Sequence, residues 1–265
     1  MTTVRELYES LHGLAPFDLQ EDYDNSGIIV GSYDKEVKGI IISLDATPEV
    51  IEEAKERGCN VVLSHHPIVF KGLKRFNGNN YVERAVMMAI KYDIALIAIH
   101  TNLDNVLVNG VNTKIAEKLG IRDYDALRPK ETTHTDYEVG TGLIGYLEEP
   151  METTAFLKMV KKRMGTNCLK HTEIVSKKVH KIAVCGGAGK FLLPDAIRQN
   201  ADVFITSDVK YHEFFDADGK IILADIGHFE SEQFTIELLY EFIKKNFSIF
   251  APHYTKVNTN PVKYL

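Results

Sequence analysis

Adjacent histidines at the end of an apolar run carry the strongest chemical signal in this chain. Asn60-Val61-Val62-Leu63-Ser64-His65-His66-Pro67 reads as a buried strand handing its polar end to a site. Side chains alternate along a strand, which would part His65 from His66. Pro67 ends the ladder and lets the backbone turn, so both imidazoles can reach one cavity. Two more strand ends offer metal-type ligands. One is His100-Thr101-Asn102-Leu103-Asp104, and the other is Asp225-Ile226-Gly227-His228-Phe229-Glu230-Ser231-Glu232, which opens a helix. Residues four apart share a helix face, so His228 and Glu232 can point into one cavity. Glu230 falls on another face and reads as a favourable first-turn charge. Each piece also has an ordinary reading, as an Asx turn at Asp104, a half-buried imidazole at His228 or a solvated carboxylate at Glu232. Parallel α/β sheets place ligands outside the carboxyl ends of their strands, which favours the set over its parts. Three histidines and two carboxylates exceed the needs of one tetrahedral zinc. They suit two divalent metal ions, zinc, manganese or iron, bridged by carboxylate and water so that the water is acidified and oriented for attack.

The elements that must position these residues are legible as α/β units. Val4, Leu7, Tyr8 and Leu11 recur at helical spacing. A βαβ unit comes next, with strand 38–44, helix 48–57 and strand 60–64, its helix capped by Thr47 and Pro48 and closed by Gly58. The spacing predicts a helix over 81–91, strand 94–99 running into His100, and a helix over 111–119 closed by Gly120. The polar, aperiodic stretch 122–136 is the natural candidate for a linker. Beyond it come strand 142–147, helix 153–164 and a weak strand near 168–174. A second βαβ unit has strand 181–184, a glycine turn, helix 193–200 and strand 202–206, and Asp202-Val-Phe-Ile-Thr-Ser-Asp echoes Asn60-Val-Val-Leu-Ser-His-His. Two related α/β layers are the expectation from this echo. Strand 221–224, helix 229–244 and strand 248–250 complete the pattern.

Composition narrows the function classes. The 265 residues suffice for one large domain or two modest ones, with 45% hydrophobic and 26% charged content. A formal charge of −6 argues against avid sequence-independent binding to nucleic acid, although a local basic patch remains compatible with it. Cys59, Cys168 and Cys185 are scattered and form no CxxC, which fits a reducing compartment and no disulfide framework. Without a secretory signal or an apolar run long enough to span a bilayer, a cytoplasmic protein with no membrane partner is expected.

The chain resembles the Nif-three-like proteins, also described as GTP cyclohydrolase I type two homologues. The resemblance rests on Asp24-Asn25-Ser26-Gly27, Ser64-His65-His66-Pro67, His100-Thr101-Asn102-Leu103-Asp104, Thr206-Ser207-Asp208-Val209-Lys210-Tyr211-His212 and Gly227-His228-Phe229-Glu230-Ser231-Glu232. It implies two similar α/β/α layered domains with a dinuclear metal site in the cleft between them, and a toroidal hexamer. Residues 1–125 and 226–265 would form the first domain, closed by the C-terminal segment, and 126–225 the second. The implied metal ligands are His65, His66, Asp104, His228 and Glu232. Tyr23 departs from the family's usual Trp, Ser207 replaces a glycine and crowds the backbone, and the short linker leaves no room for the middle domain of longer relatives.

Two further groups could serve a substrate. Cys185-Gly186-Gly187-Ala188-Gly189-Lys190 could cradle a phosphate through Gly187, Gly189 and Lys190, although Phe191 stands where a Walker A loop needs Ser or Thr and a tight strand-to-helix turn explains the glycines as well. Asp208, Lys210 and His212 end a strand and could act as catalytic proton donors or substrate contacts. The expected function is a metal-dependent hydrolase acting on a small-molecule substrate, a nucleotide or phosphorylated compound, with GTP cyclohydrolase-like ring opening implied by the resemblance. The alternative is a non-enzymatic metal-binding regulatory scaffold.

Overall fold

The computed structural model describes residues 1–131 and 135–265. In chain order the elements are α1 (Val4–Leu14), β1 (Gly27–Val30), β2 (Ile40–Ser43), α2 (Pro48–Glu56), β3 (Val61–Ser64), α3 (Tyr81–Lys91), β4 (Ala95–Ala98), α4 (Thr101–Asp104) and α5 (Val111–Leu119). They continue with β5 (Ile121–Lys130), β6 (Val139–Glu152), α6 (Thr153–Arg163), β7 (Lys170–His171), β8 (Lys178–Val184), α7 (Leu193–Arg198), β9 (Val203–Thr206), β10 (Ile222–Asp225), α8 (His228–Glu232), α9 (Thr235–Asn246) and β11 (Pro252–Tyr254). The chain forms two compact units, one of Met1–Leu103 with Thr235–Pro261, the other of Asp104–Phe234 with Val262–Leu265.

The first unit is a five-stranded sheet in the order β1-β4-β3-β2-β11 among the described residues. Its strands β4, β3, β2 and β11 run parallel, and β1 pairs antiparallel at the edge. Every residue of β2, β3 and β4 is buried, as strands covered on both faces require. One core of this unit joins Ile41, Val62 and Leu96 of the sheet to Val50 and Ile51 of α2 and to Ala85, Val86 and Ala89 of α3. Local chemistry starts these helices. Thr3 and Glu6 form a capping box on α1, Thr47 caps α2 ahead of Pro48, and Asn80 caps α3.

Among the described residues the second unit is a six-stranded sheet in the order β5-β6-β8-β9-β10-β7, with β8, β9 and β10 parallel. Its core packs Leu127, Ile144, Ala183, Phe204 and Leu223 against Leu193 and Ala196 of α7. The unit β2-α2-β3 thus has its counterpart in β8-α7-β9.

Several elements differ from the sequence expectation. Much of the stretch expected as a linker, 122–136, is strand β5, paired antiparallel with β6 from Ile121↔Leu147 to Lys130↔Val139. It reads as polar because it is an edge strand in which just Ile121, Ala126 and Leu127 are buried; positions 132–134 of the linker expectation lie outside the described residues. Gly140 and Gly145 of β6 allow β5 to approach, since a Cβ there would meet the carbonyl oxygens of Arg128 and Arg122 at 2.4 and 2.7 Å. With β5 in the second sheet, residues 104–125 join the second unit, and 226–234 stay with it through α8. The helix expected over 229–244 is two helices, α8 and α9. The last strand lies at Pro252–Tyr254 rather than 248–250, in parallel register with Ile40–Ile42. No helix among the described residues is long and apolar enough to cross a membrane.

Candidate metal centre

In the first unit, the carboxyl ends of β2, β3 and β4 deliver Asp45, His65 with His66, and His100. One ring nitrogen from each of the three histidines lies within 4.8 Å of the other two. Their ring centroids are 4.9 to 5.3 Å apart. Each Nδ1 is engaged behind the ring. His65, fully buried, donates Nδ1–H to the Ile99 carbonyl, His66 to Asp45 Oδ1 and His100 to Asp24 Oδ1, each at 2.8 Å. An imidazole whose Nδ1–H is committed to an oxygen carries its lone pair on Nε2, the state a metal requires.

Asp24 is the most heavily used of these partners. Its buried carboxylate also accepts the Asn25 amide at 2.7 Å, the Thr101 amide at 3.0 Å and the Ser26 hydroxyl at 3.1 Å. Burial would raise its pKa, but the His100 hydrogen bond and charge, with Thr101 and Asn25, hold it well below the usual carboxylate range. Asp45 in turn accepts the Thr259 hydroxyl at 2.5 Å. This anchors the C-terminal segment of the first unit behind His66.

The second unit builds its set from the end of α4, from the ends of β9 and β10, and from α8. His228 and Glu232 lie one turn apart on α8, with Nε2 3.0 Å from Oε2. The Glu232 oxygen lies within 4.8 Å of an Asp104 carboxylate oxygen. His228 Nδ1 donates to Asp208 Oδ2 at 2.8 Å. Burial alone would lower the His228 pKa, but the charges and hydrogen bonds of Glu232 and Asp208 outweigh it and push it up to about 11. The His228 hydrogen bond also holds the Asp208 carboxyl below its ordinary value. Asp225, at the end of β10, accepts the Val209 amide at 3.1 Å and the Gly227 amide at 3.0 Å, so it fixes the turns carrying both partners. Burial pushes the Cys185 thiol up, and the Asp104 and Glu232 carboxylates add to that shift.

The glycine turn after β8 serves Glu232. A Cβ on Gly187, whose φ is +62°, would stand 2.3 Å from Glu232 Oε1, and one on Gly186 would stand 3.4 Å from Glu232 Cγ. The amides are committed within the protein, Gly186 to Asn112 Oδ1 at 3.0 Å, Gly187 to Ser231 Oγ and Gly189 to Thr206 Oγ1, both at 2.9 Å. Lys190 pairs with Asp216. The turn expected to cradle a phosphate through Gly187, Gly189 and Lys190 thus makes room for Glu232.

Of the expected catalytic trio, Asp208 orients His228, whereas Lys210 and His212 are exposed, Lys210 just before the 3-10 helical segment Tyr211–Ala217 and His212 on it. His212 lies against the Tyr211 and Phe215 rings. Ser207 is buried and donates its amide to Gly187 O at 3.0 Å; the left-handed residue is Asp208, at φ 57°. Glu230 lies in the first turn of α8, as expected, and is buried there; a Cβ on Gly227 would meet its Oε2 at 2.3 Å. Sequence reasoning offered the strand end at His100 but left His100 out of the ligand set, and it gave Asp24 and Asp45 no role in the site. The signal for His100 and Asp45 was their place just beyond buried parallel strands.

The family model described as Duf34/NIF3 (NGG1p interacting factor 3) matches residues 2–261. A Clostridium perfringens protein named GTP cyclohydrolase 1 type 2 homolog is 33% identical over 232 residues, 86% of each chain. A Campylobacter jejuni protein of the same name is 32% identical over 260 residues, 98% of each chain. The crystal structure of Staphylococcus aureus hypothetical protein SA1388, 27% identical, matches at a TM-score of 0.90 over 99% of each chain.

Proposed function

The chain belongs to the Duf34/NIF3 family, and on that premise we propose that it is a metal-dependent hydrolase acting on a nucleotide or phosphorylated small molecule. GTP cyclohydrolase-like ring opening is the reaction to which its relatives' names point. Two divalent ions per chain, zinc, manganese or iron, would be held by His65, His66, Asp104, His228 and Glu232, with His100 added to the set. The observation that carries this reading is the common wiring of four imidazoles, each with Nδ1 2.8 Å from an oxygen acceptor. Such partners orient metal-ligating histidines and raise their basicity. Mixed nitrogen and carboxylate donors suit these metals.

Bound metal would acidify a water and polarise an electrophilic centre. Asp24, Asp45 and the Ile99 carbonyl hold three rings in place, and Asp208 holds the fourth. Asp208 is thereby a positioning residue. Lys210 and His212 stand as proposed proton donors or substrate contacts, and a toroidal hexamer as the proposed assembly.

Screening the metal-loaded protein against nucleotides and phosphate esters tests the reading. Turnover that disappears on chelation and returns with metal is expected. Lys210→Ala and His212→Ala should lower it by on the order of ten- to a thousandfold while the metals stay bound. An inert but fully loaded protein across the panel would favour the regulatory scaffold.

A further inference from the structure

The loop that leaves His66 carries chemistry that the ligand sets do not use. Between β3 and α3 the chain runs Pro67-Ile68-Val69-Phe70-Lys71-Gly72-Leu73-Lys74-Arg75-Phe76-Asn77-Gly78-Asn79-Asn80, with three cations and no carboxylate. This occurs in a protein of formal charge −6. Lys71, Lys74 and Arg75 are exposed, and among the described residues none of them pairs with a carboxylate. Phe70 and Phe76 are also exposed, at 49% and 55%.

The loop is tethered at both ends. Asn25 Nδ2 donates to the Val69 carbonyl at 2.6 Å. The buried Glu83 carboxylate accepts the amides of Asn77 and Asn79 at 3.2 and 3.1 Å and Asn80 Nδ2 at 2.8 Å. The acid that comes after the loop is thus spent on its backbone instead of neutralising its cations. The Phe70 ring meets His100 nearly at right angles, with centroids 5.7 Å apart. A half-exposed phenyl beside the histidine set is a platform for a planar ring, and the cations one to five residues further on supply charge for an anion attached to it.

We propose that Phe70 with Lys71, Lys74 and Arg75 forms the recognition element for a nucleoside phosphate, the base stacking on Phe70 and the phosphates taken by the three cations. The inference rests on the reading of the site as one that acts on a nucleotide, and it names the residues that select that substrate. A free nucleotide and the end of a single strand present the same chemistry. The chain's acidity favours the free nucleotide, because a strand would bring further phosphates against a negative protein.

The full-length, metal-loaded protein is titrated calorimetrically with GTP, inorganic triphosphate and a short single-stranded oligonucleotide. Phe70→Leu should weaken GTP roughly five- to a hundredfold, the range that one stacked base supplies, and leave inorganic triphosphate unchanged. The combined Lys71→Gln, Lys74→Gln and Arg75→Gln variant should weaken both by about tenfold or more and flatten the salt dependence. Metal content measured in the same samples should equal that of the unaltered protein. If GTP is bound and turned over but both variants bind it undiminished, the inference falls and the hydrolase reading stands. If binding depends on the loop but no nucleotide is turned over, the inference stands and the hydrolase reading falls. Failure of the loaded protein to bind GTP or triphosphate overturns both, and tighter binding of the oligonucleotide than of GTP overturns the assignment to a free nucleotide.

Discussion

In the first unit the parallel strands β2, β3 and β4 end in Asp45, His65 with His66, and His100; in the second, β8, β9 and β10 lead to Gly186 with Gly187, Asp208, and His228. The plan is shared, but the electrostatics differ. The first unit offers three imidazoles, with its carboxylates Asp24 and Asp45 placed behind the rings. The second offers one imidazole, held between Glu232 and Asp208, and brings the Asp104 and Glu232 carboxylates close together. Neutral nitrogen donors can be clustered without charge repulsion, whereas clustered carboxylates need a compensating cation. In the second unit His228 lies between Glu232 and Asp208 and hydrogen-bonds to both, and their charges push its pKa up. The difference shows how one α/β scaffold yields either a nitrogen-rich or a charge-rich ligand set, according to the residue types set just past its strand ends.

The largest effect should come from removing charge in the second set. Glu232→Gln is expected to lower metal affinity by more than the roughly 10- to 100-fold typical of outer partners, as read by competition with a chelator. Retained affinity would remove Glu232 from the set. Gly187→Ala should come next, because its Cβ would collide with Glu232 Oε1 and its backbone is left-handed. Metal loss together with about 1–3 kcal/mol of destabilisation in chemical denaturation is expected. A variant with unchanged metal content would show that the turn does not make room for Glu232.

A matched pair tests the comparison itself. Asp24 and Asp208 each hold the Nδ1 of one histidine, but the Asp24 side chain is fully buried and that of Asp208 is 52% exposed. Asp24→Asn should therefore weaken metal binding about 10- to 100-fold and Asp208→Asn by less than about tenfold. The reverse order would break the account of how the first set is held.

The smallest effect lies away from the ligands. Asp195 is buried against Arg128 and Arg198. Burial would raise its pKa, but the hydrogen bonds and charges of the two arginines lower it on balance. A carboxyl with a depressed folded pKa contributes stability that is present above its unfolded value, near ~4, and lost as pH falls through the folded value. Asp195→Asn should cost about 1–2 kcal/mol at pH 7, discounted for the exposed arginines. The gap should close in denaturation curves below about pH 4. A cost independent of pH would point to packing alone.

How much of the fold and the site was legible in the sequence depended on burial. β2, β3 and β4 announced themselves as unbroken apolar runs, and those runs pointed to the residues just past β3 and β4. Helical spacing exposed the α8 pair, His228 and Glu232. β5 stayed hidden, because an edge strand with a solvated face has the composition of a loop. Asp24 and Asp45 are ordinary turn residues in sequence, and only the fold brings them behind His100 and His66. The glycines after β8 matched a phosphate turn as well as a crowded corner, and only the fold shows that Glu232 packs against them.

The central claim is that both sets are used, with two divalent ions in each chain. Elemental analysis of protein purified without chelator and saturated with zinc, manganese or iron measures this directly. A stoichiometry near two is expected, as three histidines in one unit and His228, Glu232 and Asp104 in the other provide more donors than one ion takes. Saturation at one ion per chain would contradict it.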